Sequence, residues 1–334
     1  MRKIFWTILC VLTLSGCWGN SKSEPQTQPL NEHGDLVLGH GTGIGHGFYK
    51  HVFEDWQDRP RVAIYSHWDE PPKNFDGVHV FLDGEPFGPQ GSNRNYLDRM
   101  LYIGPRTDTG AAKSLYIPFA SMFFAETRES LTPLQLLKAV PEQGKKHFAV
   151  YMSSRCVSHR EDLYNHLVEL AREHNLGEVH ALGSCYGNYP ETKVKISEAE
   201  KGRDKAYFMD HAMELMKDYQ YVLAIENTID EGYVSEKPIL PVLAGSIPIY
   251  VGSKAIGSRN ILNPKRFLHV SSLEGFKSQV LGFVRNADVT GMYAEAGIGF
   301  EDLYIYSWHR DVVREMGAGK KTLRDEIHGL LKSF

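Results

Sequence analysis

The stretch YVLAIENTIDEGYVSEKPILPVLAGSIPIYVGS, Tyr221 to Ser253, holds one turn of the pattern on which the chain is organised. Tyr221 to Glu226 is a short apolar run closed by a carboxylate, as expected of a strand buried on both faces. Asn227 to Val234 is a polar loop at the strand's carboxyl end, the end that faces the ligand crevice in an open parallel sheet. Ser235 stands where a helix cap belongs, and Glu236 and Lys237 fall in the first turn. Pro238 is tolerated there because its missing N–H would be an orphan anyway. Ile247 to Val251 is the next strand. A helix N-terminus bearing a Lys among polar side chains suits an anion, a diphosphate in particular. The same residues also suit a surface Glu-Lys pair capping an ordinary helix, worth well under ~1 kcal/mol. Both readings fit.

Outward from this stretch the alternation continues. Toward the N-terminus it predicts strand His147 to Met152, helix Arg160 to His174, strand Glu178 to Leu182 and a helix near Tyr207 to Lys217. Beyond it come a strand at Phe267 to Val270 and closing helices at Leu273 to Arg285 and Thr322 to Leu331. Strands and helices alternating at this spacing imply βαβ units and a parallel, doubly wound sheet. A first layer is expected from Arg61 to His67, Gly77 to Leu82 and Met100 to Ile103. A polar, Pro-punctuated segment at Ser130 to Gln143 sets the boundary, giving an N-terminal domain at 34–142 and a C-terminal domain at 143–334. GHGTGIGHG, Gly39 to Gly47, contains neither GxGxxG nor a Walker Lys and reads as a flexible turn after a short strand at Leu36 to Leu38.

The 334 residues exceed the size at which one core stops growing, which agrees with two domains. Lys and Arg number 37 against 41 Asp and Glu, a net charge of -4, and this argues against a nucleic-acid partner bound by counterion release. The fifteen histidines are scattered, with no metal-ligand spacing, so no bound metal is expected. Residues 1–19, basic at Met1 to Lys3 and apolar from Ile4 to Leu14, form a signal or anchor segment, and 20–33 form a Ser/Gln/Pro-rich linker. Three readings of the leader stay open: a membrane signal anchor, a cleaved signal, and a bacterial lipoprotein signal in which Leu14-Ser15-Gly16-Cys17 directs lipidation of Cys17.

The Tyr221 to Ser253 stretch resembles the donor-binding signature of glycosyltransferase family 10, the α1,3/4-fucosyltransferases. The signature appears as Ile225-Glu226-Asn227-Thr228, Gly232-Tyr233-Val234-Ser235-Glu236-Lys237 and Ala244-Gly245-Ser246-Ile247-Pro248-Ile249. YMSSRCVSHREDLYNHL and VHALGSC resemble the family's preceding elements, and NPKRFLHVSSL and YIYSWHRD its closing ones. VFLDGEPF resembles its G-E-x-P element in the N-terminal domain.

The resemblance implies an α/β, GT-B fold, two Rossmann-like domains facing across a cleft with the acceptor side N-terminal and the GDP-fucose side C-terminal. It implies inverting transfer of L-fucose from GDP-fucose to a hydroxyl of an acceptor oligosaccharide or glycoconjugate, α1,3 to GlcNAc or Glc. Glu85 would be the base, and Arg160 and Lys237, with the N–H groups after Ser235, would meet the charge of the leaving GDP. Asn227, Tyr233 and Glu236 would hold guanosine, ribose and fucose hydroxyls. No cofactor is required, no DxD metal motif is found, and a divalent ion is at most stimulatory.

Each residue also has a plainer reading: Glu85 as an exposed turn carboxylate, Arg160 paired with Glu161 or Asp162, Tyr233 as packing. The chain departs from the family where Pro238 and Pro241 enter the helix after the Glu-Lys pair, which should kink or shorten it. It departs again where Arg155 replaces a usual Asn. Cysteines at similar places in extracytoplasmic members imply a Cys156–Cys185 disulfide, with two buried thiols as the alternative. A Golgi-lumen enzyme is favoured over an envelope lipoprotein, because GDP-fucose is not expected in a periplasm. Two other functions stay open: a glycan-binding lipoprotein without catalysis, and a transferase of another GDP-sugar.

Overall fold

The computed structural model describes residues 30–31, 33–38, 44–125, 131–140, 144–194 and 208–334. The leader, Cys17 and the glycines from 39 to 43 lie outside the described residues. Two five-stranded sheets organise the rest. The first runs β1 (Leu36–Val37), β2 (Val62–Tyr65), β3 (Val78–Leu82), β4 (Met100–Gly104) and β5 (Lys113–Tyr116) side by side, every pair parallel. The second takes β6 (His147–Ser153), β7 (Val179–Gly183), β8 (Tyr219–Ile225), β9 (Ile247–Val251) and β10 (Leu268–His269) in the order β10-β9-β8-β6-β7, again all parallel. The expected strands are present with ends displaced by one or two residues. β5 was not foreseen: its sequence, KSLY, is half-buried along its length and has no apolar run to announce it.

The helices are α1 (Ile44–Val52), α2 (Phe119–Met122), α3 (Ser158–His174), α4 (Phe208–Met216), α5 (Ile239–Leu243), α6 (Ala255–Ser258), α7 (Phe276–Asn286), α8 (Val289–Ala294), α9 (Arg310–Met316) and α10 (Leu323–Lys332). One face of the second sheet packs Tyr151, Tyr221 and Ile249 against Leu163 and Leu167 of α3 and Phe276 and Val280 of α7. The other packs Val150, Val222 and Tyr250 against Ala212 and Met216 of α4 and Ile239 and Leu240 of α5. Each strand buried on both faces needs apolar side chains at consecutive positions, which is why these strands read as unbroken hydrophobic runs.

Three expectations need correction. Gly45 and Gly47 belong to α1 rather than to a turn, and a Cβ at Gly47 would sit 1.5 Å from the Ala125 carbonyl oxygen. Gly47 serves close packing. The helix expected from Ser235 is only the five residues of α5, entered at Pro238, with Pro241 inside it. The third concerns the chain's end, which was assigned with 143–334. Trp308 and the Leu323, Ile327 and Leu331 stripe of α10 lie instead in the core under the first sheet, beside Phe48, Val80 and Leu101. A capping box between Thr322 and Asp325 starts that helix.

The carboxyl ends of the two sheets face each other. Gly232, in the loop after β8, approaches the segment after β4 so closely that a Cβ would stand 2.3 Å from the Pro105 oxygen, and its φ of +88° suits glycine. The Gly232 carbonyl accepts from the Tyr116 hydroxyl at 2.9 Å, and Arg106 lies 3.7 Å from Asp230. Two Rossmann-like units meeting in this way make the GT-B arrangement. Among the described residues no helix is long and apolar enough to cross a membrane.

Candidate functional site

Strand order in the second sheet reverses at β6, with β7 on one side and β8 on the other. Ligand crevices of open parallel sheets form at such switch points, outside the carboxyl ends of the strands. Arg160 lies in the first turn of α3, which follows β6, and Asn227 follows β8. The reversal therefore brings together two residues 67 positions apart: Arg160 Nη1 donates to Asn227 Oδ1, and Nη2 donates to Ser153 Oγ at 2.8 Å. The guanidinium is 4% exposed and has no carboxylate partner among the described residues. The neighbouring acid Glu161 is taken up by the Tyr151 hydroxyl and the Gly187 N–H, both at 2.7 Å. A buried cation held by neutral groups only is poised for an anion.

Glu226 directly follows β8, is fully buried, and organises the loop from Asn227 to Lys237. Its Oε1 accepts from the Ser235 N–H at 2.8 Å and the Tyr250 hydroxyl at 3.3 Å; its Oε2 accepts from the Ser235 hydroxyl at 2.7 Å and Lys237 Nζ at 3.4 Å. Ser235 thus folds back onto a carboxylate and does not cap a helix. With α5 entered only at Pro238, the expected anion site at a helix N-terminus is not present in that form. Cationic side chains replace it. Burial works to lower the Lys237 pKa, and the carboxylates of Glu236, 3.9 Å away, and Glu226 more than offset this, so the ammonium titrates above its ordinary value while feeling the positive charge of Arg160. Two cations sharing one pocket raise the affinity of that pocket for a polyanion.

Tyr233 is 3% exposed, and burial, with the carboxylates of Glu226, Glu85, Glu236 and Asp83 around it, raises its pKa and keeps the phenol protonated. It stands between the two sheets. Glu85 follows β3. Its N–H donates to Asp83 Oδ1 at 3.0 Å, Asp83 Oδ2 accepts from Tyr102 at 3.0 Å, and His67 Nδ1 lies 3.3 Å from Asp83 Oδ1. Burial lifts the Glu85 pKa, with Asp83 adding to the rise and His67, Lys237 and Arg155 opposing it. The plain reading of Glu85 as an exposed turn carboxylate does not describe it. Two aromatic side chains of this wall stand in the open: Phe87, two residues past Glu85, at 57% exposure, and Trp68, whose ring lies 4.4 Å from that of His67, at 61%.

Cys156 and Cys185, one after each of the neighbouring strands β6 and β7, are joined in a disulfide with their Cα atoms 5.2 Å apart. The strand ends at Ser153 and Gly183 are thereby tied just before α3, which carries Arg160. A separate open cleft of about 610 Å³ lies at the carboxyl ends of β9 and β10, lined by Asp230, Lys254, Arg259, His269, Ser271 and Ser272. None of the expected site residues lines it.

The sequence reading missed Glu226 as the organiser, Ser153 as the partner of Arg160, and the His67–Asp83–Tyr102 group behind Glu85. Glu226 was visible as an acid at the end of an apolar strand, an expensive residue to bury without partners. His67 and Asp83 each lie just past a strand of the first sheet, but only the register of β2 against β3 makes them neighbours.

Residues 142–286 match the model of glycosyltransferase family 10 (fucosyltransferase), C-terminal part. Protein R654 of Acanthamoeba polyphaga mimivirus, which carries a fucosyltransferase name, is 30% identical over 230 residues, 69% of this chain and 34% of that one. An alpha-(1,4)-fucosyltransferase of Arabidopsis thaliana is 35% identical over 120 residues, covering 35% of this chain and 28% of its own. A GDP-fucose protein O-fucosyltransferase 3 of Bos taurus is 26% identical over 174 residues, 48% of this chain and 33% of its own. The matched part spans about a third of the length of these relatives. Arg160, Asn227, Tyr233, Ser235, Glu236 and Lys237 all fall within the matched residues, and residues 142–286 are those of a glycosyltransferase family 10 (fucosyltransferase) C-terminal part.

Proposed function

We propose that this chain transfers L-fucose from GDP-fucose, with inversion, to a hydroxyl of an acceptor glycan. The observation that carries the reading is the pairing of Arg160, buried with no acid partner among the described residues, with Lys237, beside a pocket that a half-buried carboxylic acid, Glu85, faces from the opposite sheet. In this reaction the acceptor oxygen attacks the fucose anomeric carbon while the bond to the diphosphate oxygen breaks on the far side. Glu85 takes the acceptor proton, a role worth ~10²–10⁴ in rate. The negative charge that develops on GDP is met by Arg160 and Lys237, already oriented and largely removed from water. Tyr233, as a protonated phenol, and Asn227 and Glu236 hold hydroxyls of the donor.

No cofactor enters this scheme, and a divalent ion would at most stimulate it. The exposed Trp68 and Phe87, on the first-sheet wall that carries Glu85, offer flat apolar surfaces for a sugar ring, which favours an oligosaccharide or glycoconjugate acceptor and leads us to α1,3 transfer to GlcNAc or Glc. The disulfide fits an oxidising compartment, and a membrane-anchored enzyme of the Golgi lumen is our reading of its location, with an envelope lipoprotein lipidated at Cys17 as the alternative.

The test offers the purified protein a panel of GDP-sugars and acceptors and measures released GDP. Turnover of GDP-fucose alone is expected. Turnover of a different GDP-sugar would reassign the donor, and glycan binding without GDP binding would make the chain a binding module.

A further inference from the structure

We propose that the amino-terminal edge of the second sheet holds a zinc-class divalent cation between His147, Glu178 and His180. His147 opens β6, Glu178 directly precedes β7, and His180 is its second residue. Far apart in sequence, they meet because β6 and β7 pair in parallel register. His147 Nδ1 lies 2.8 Å from Glu178 Oε2, His180 Nε2 lies 3.7 Å from the same oxygen, and one ligand atom from each residue falls within 4.8 Å of the others. Ligands at the ~2.0–2.2 Å bond lengths of zinc stand roughly 3.3 Å apart around a tetrahedral ion, and the observed distances bracket that spacing.

The site has an orienting group behind it. His180 Nδ1 is 2.9 Å from the hydroxyl of Tyr219, the first residue of β8, so with Nδ1–H donating to that oxygen the Nε2 lone pair is turned toward Glu178. Such a partner is what fixes the tautomer of a metal-ligating histidine. The imidazole rings of His147 and His180 are half-buried and the Glu178 carboxylate is open to solvent, which leaves a path for the ion and a fourth position for water. Lys146, the residue before His147, is drawn off by Asp218 at 3.0 Å. Two imidazoles and one carboxylate with an open position suit Zn²⁺ and its borderline neighbours over Mg²⁺ or Ca²⁺. The site lies at the opposite end of β6 from Arg160, roughly 20 Å away at ~3.3 Å per residue, and its expected role is to pin the sheet edge, with no part in the chemistry.

The test titrates the chelator-treated full chain with Zn²⁺ alone by calorimetry. One equivalent is expected to bind, to raise the melting temperature, and to leave GDP binding unchanged. H180A should weaken it by at least ~10-fold, and so should E178Q, a substitution at a solvent-facing carboxylate that leaves the fold intact, while H46A on α1 leaves it unchanged. Absence of a saturable equivalent would overturn the proposal. An equivalent that survives both H180A and E178Q would overturn it as well.

Discussion

On the second-sheet wall of the cleft Glu226 and Arg160 are 0% and 4% exposed, and each is held by side chains from other elements; on the first-sheet wall, which carries Glu85, Trp68 and Phe87 are more than half exposed. The first kind of surface is rigid because every buried polar atom must keep its partner, so one substitution disturbs the whole group. The second is held by loops that follow strands and has room to change without cost to the fold. A pocket for one fixed donor suits the first kind of wall, and a surface that meets a variable acceptor suits the second. Substitutions on the two walls should then fail in different measurements.

The largest separation is expected at Glu85. Glu85→Gln should lower kcat by ~10²–10⁴ while GDP binds as before. GDP-fucose turnover at the unaltered rate would remove Glu85 as the base, and a parallel loss of GDP affinity would show that the two walls are not independent. Next comes Glu226→Ala, which strands the Ser235 N–H and hydroxyl, the Tyr250 hydroxyl and the Lys237 ammonium together. Removing one partner from a buried charged group costs ~3–5 kcal/mol, to be read from denaturant midpoints. A loss under ~1 kcal/mol would mean that water replaces the carboxylate there and that the wall is less rigid than its hydrogen bonds suggest.

Lys237→Ala is smaller. It removes a charge-assisted contact worth ~1.5–3 kcal/mol, so GDP affinity measured by calorimetry should fall roughly 10- to 150-fold with kcat also reduced. Smaller again is Trp68→Ala. An aromatic contact of ~0.5–1.5 kcal/mol should raise the acceptor KM roughly 2- to 12-fold, leave the KM for GDP-fucose alone and change stability by less than ~0.5 kcal/mol. A rise in the donor KM would place Trp68 on the wrong side of the comparison.

The same contrast explains how far the residues could be read in advance. The second sheet was legible strand by strand because each strand is buried on both faces and separated by helices, and its polar positions sit at strand ends in a recognisable order. The first sheet was legible from β1 to β4; β5 has no apolar signature, and α1 hid behind glycines, of which Gly47 packs against Ala125. The shortening of the helix after Lys237 was foreseeable from Pro238 and Pro241. That Ser235 would leave its capping position for Glu226 was not, because the choice depends on Tyr250, from the next strand, completing the carboxylate's shell. The return of α10 to the first sheet was equally hidden. An amphipathic stripe such as Leu323, Ile327 and Leu331 says that a face will be buried and does not say against which sheet.

The finest test is pH dependence, because it asks whether the Glu85 environment belongs to both walls. Burial raises the Glu85 pKa above the ordinary ~4.3 of a glutamate, so kcat/KM should rise on an acidic limb displaced upward, since the base works only when deprotonated. The linked stability runs the other way. The folded state holds this proton more tightly than the unfolded chain, so the contribution is present at low pH and is lost as pH rises from the ordinary carboxyl range through the raised value. Lys237, whose pKa is raised above the lysine value, stays charged across this window and contributes no slope until the pH approaches its ordinary value near ~10.4. Lys237 also holds the Glu85 pKa down from across the cleft. In Lys237→Ala the acidic limb should therefore move further up, a shift that a change in donor binding alone would not produce in the kcat profile. An unmoved limb in that variant would mean that Lys237 does not tune Glu85, leaving burial, Asp83, His67 and, from the second-sheet wall, Arg155.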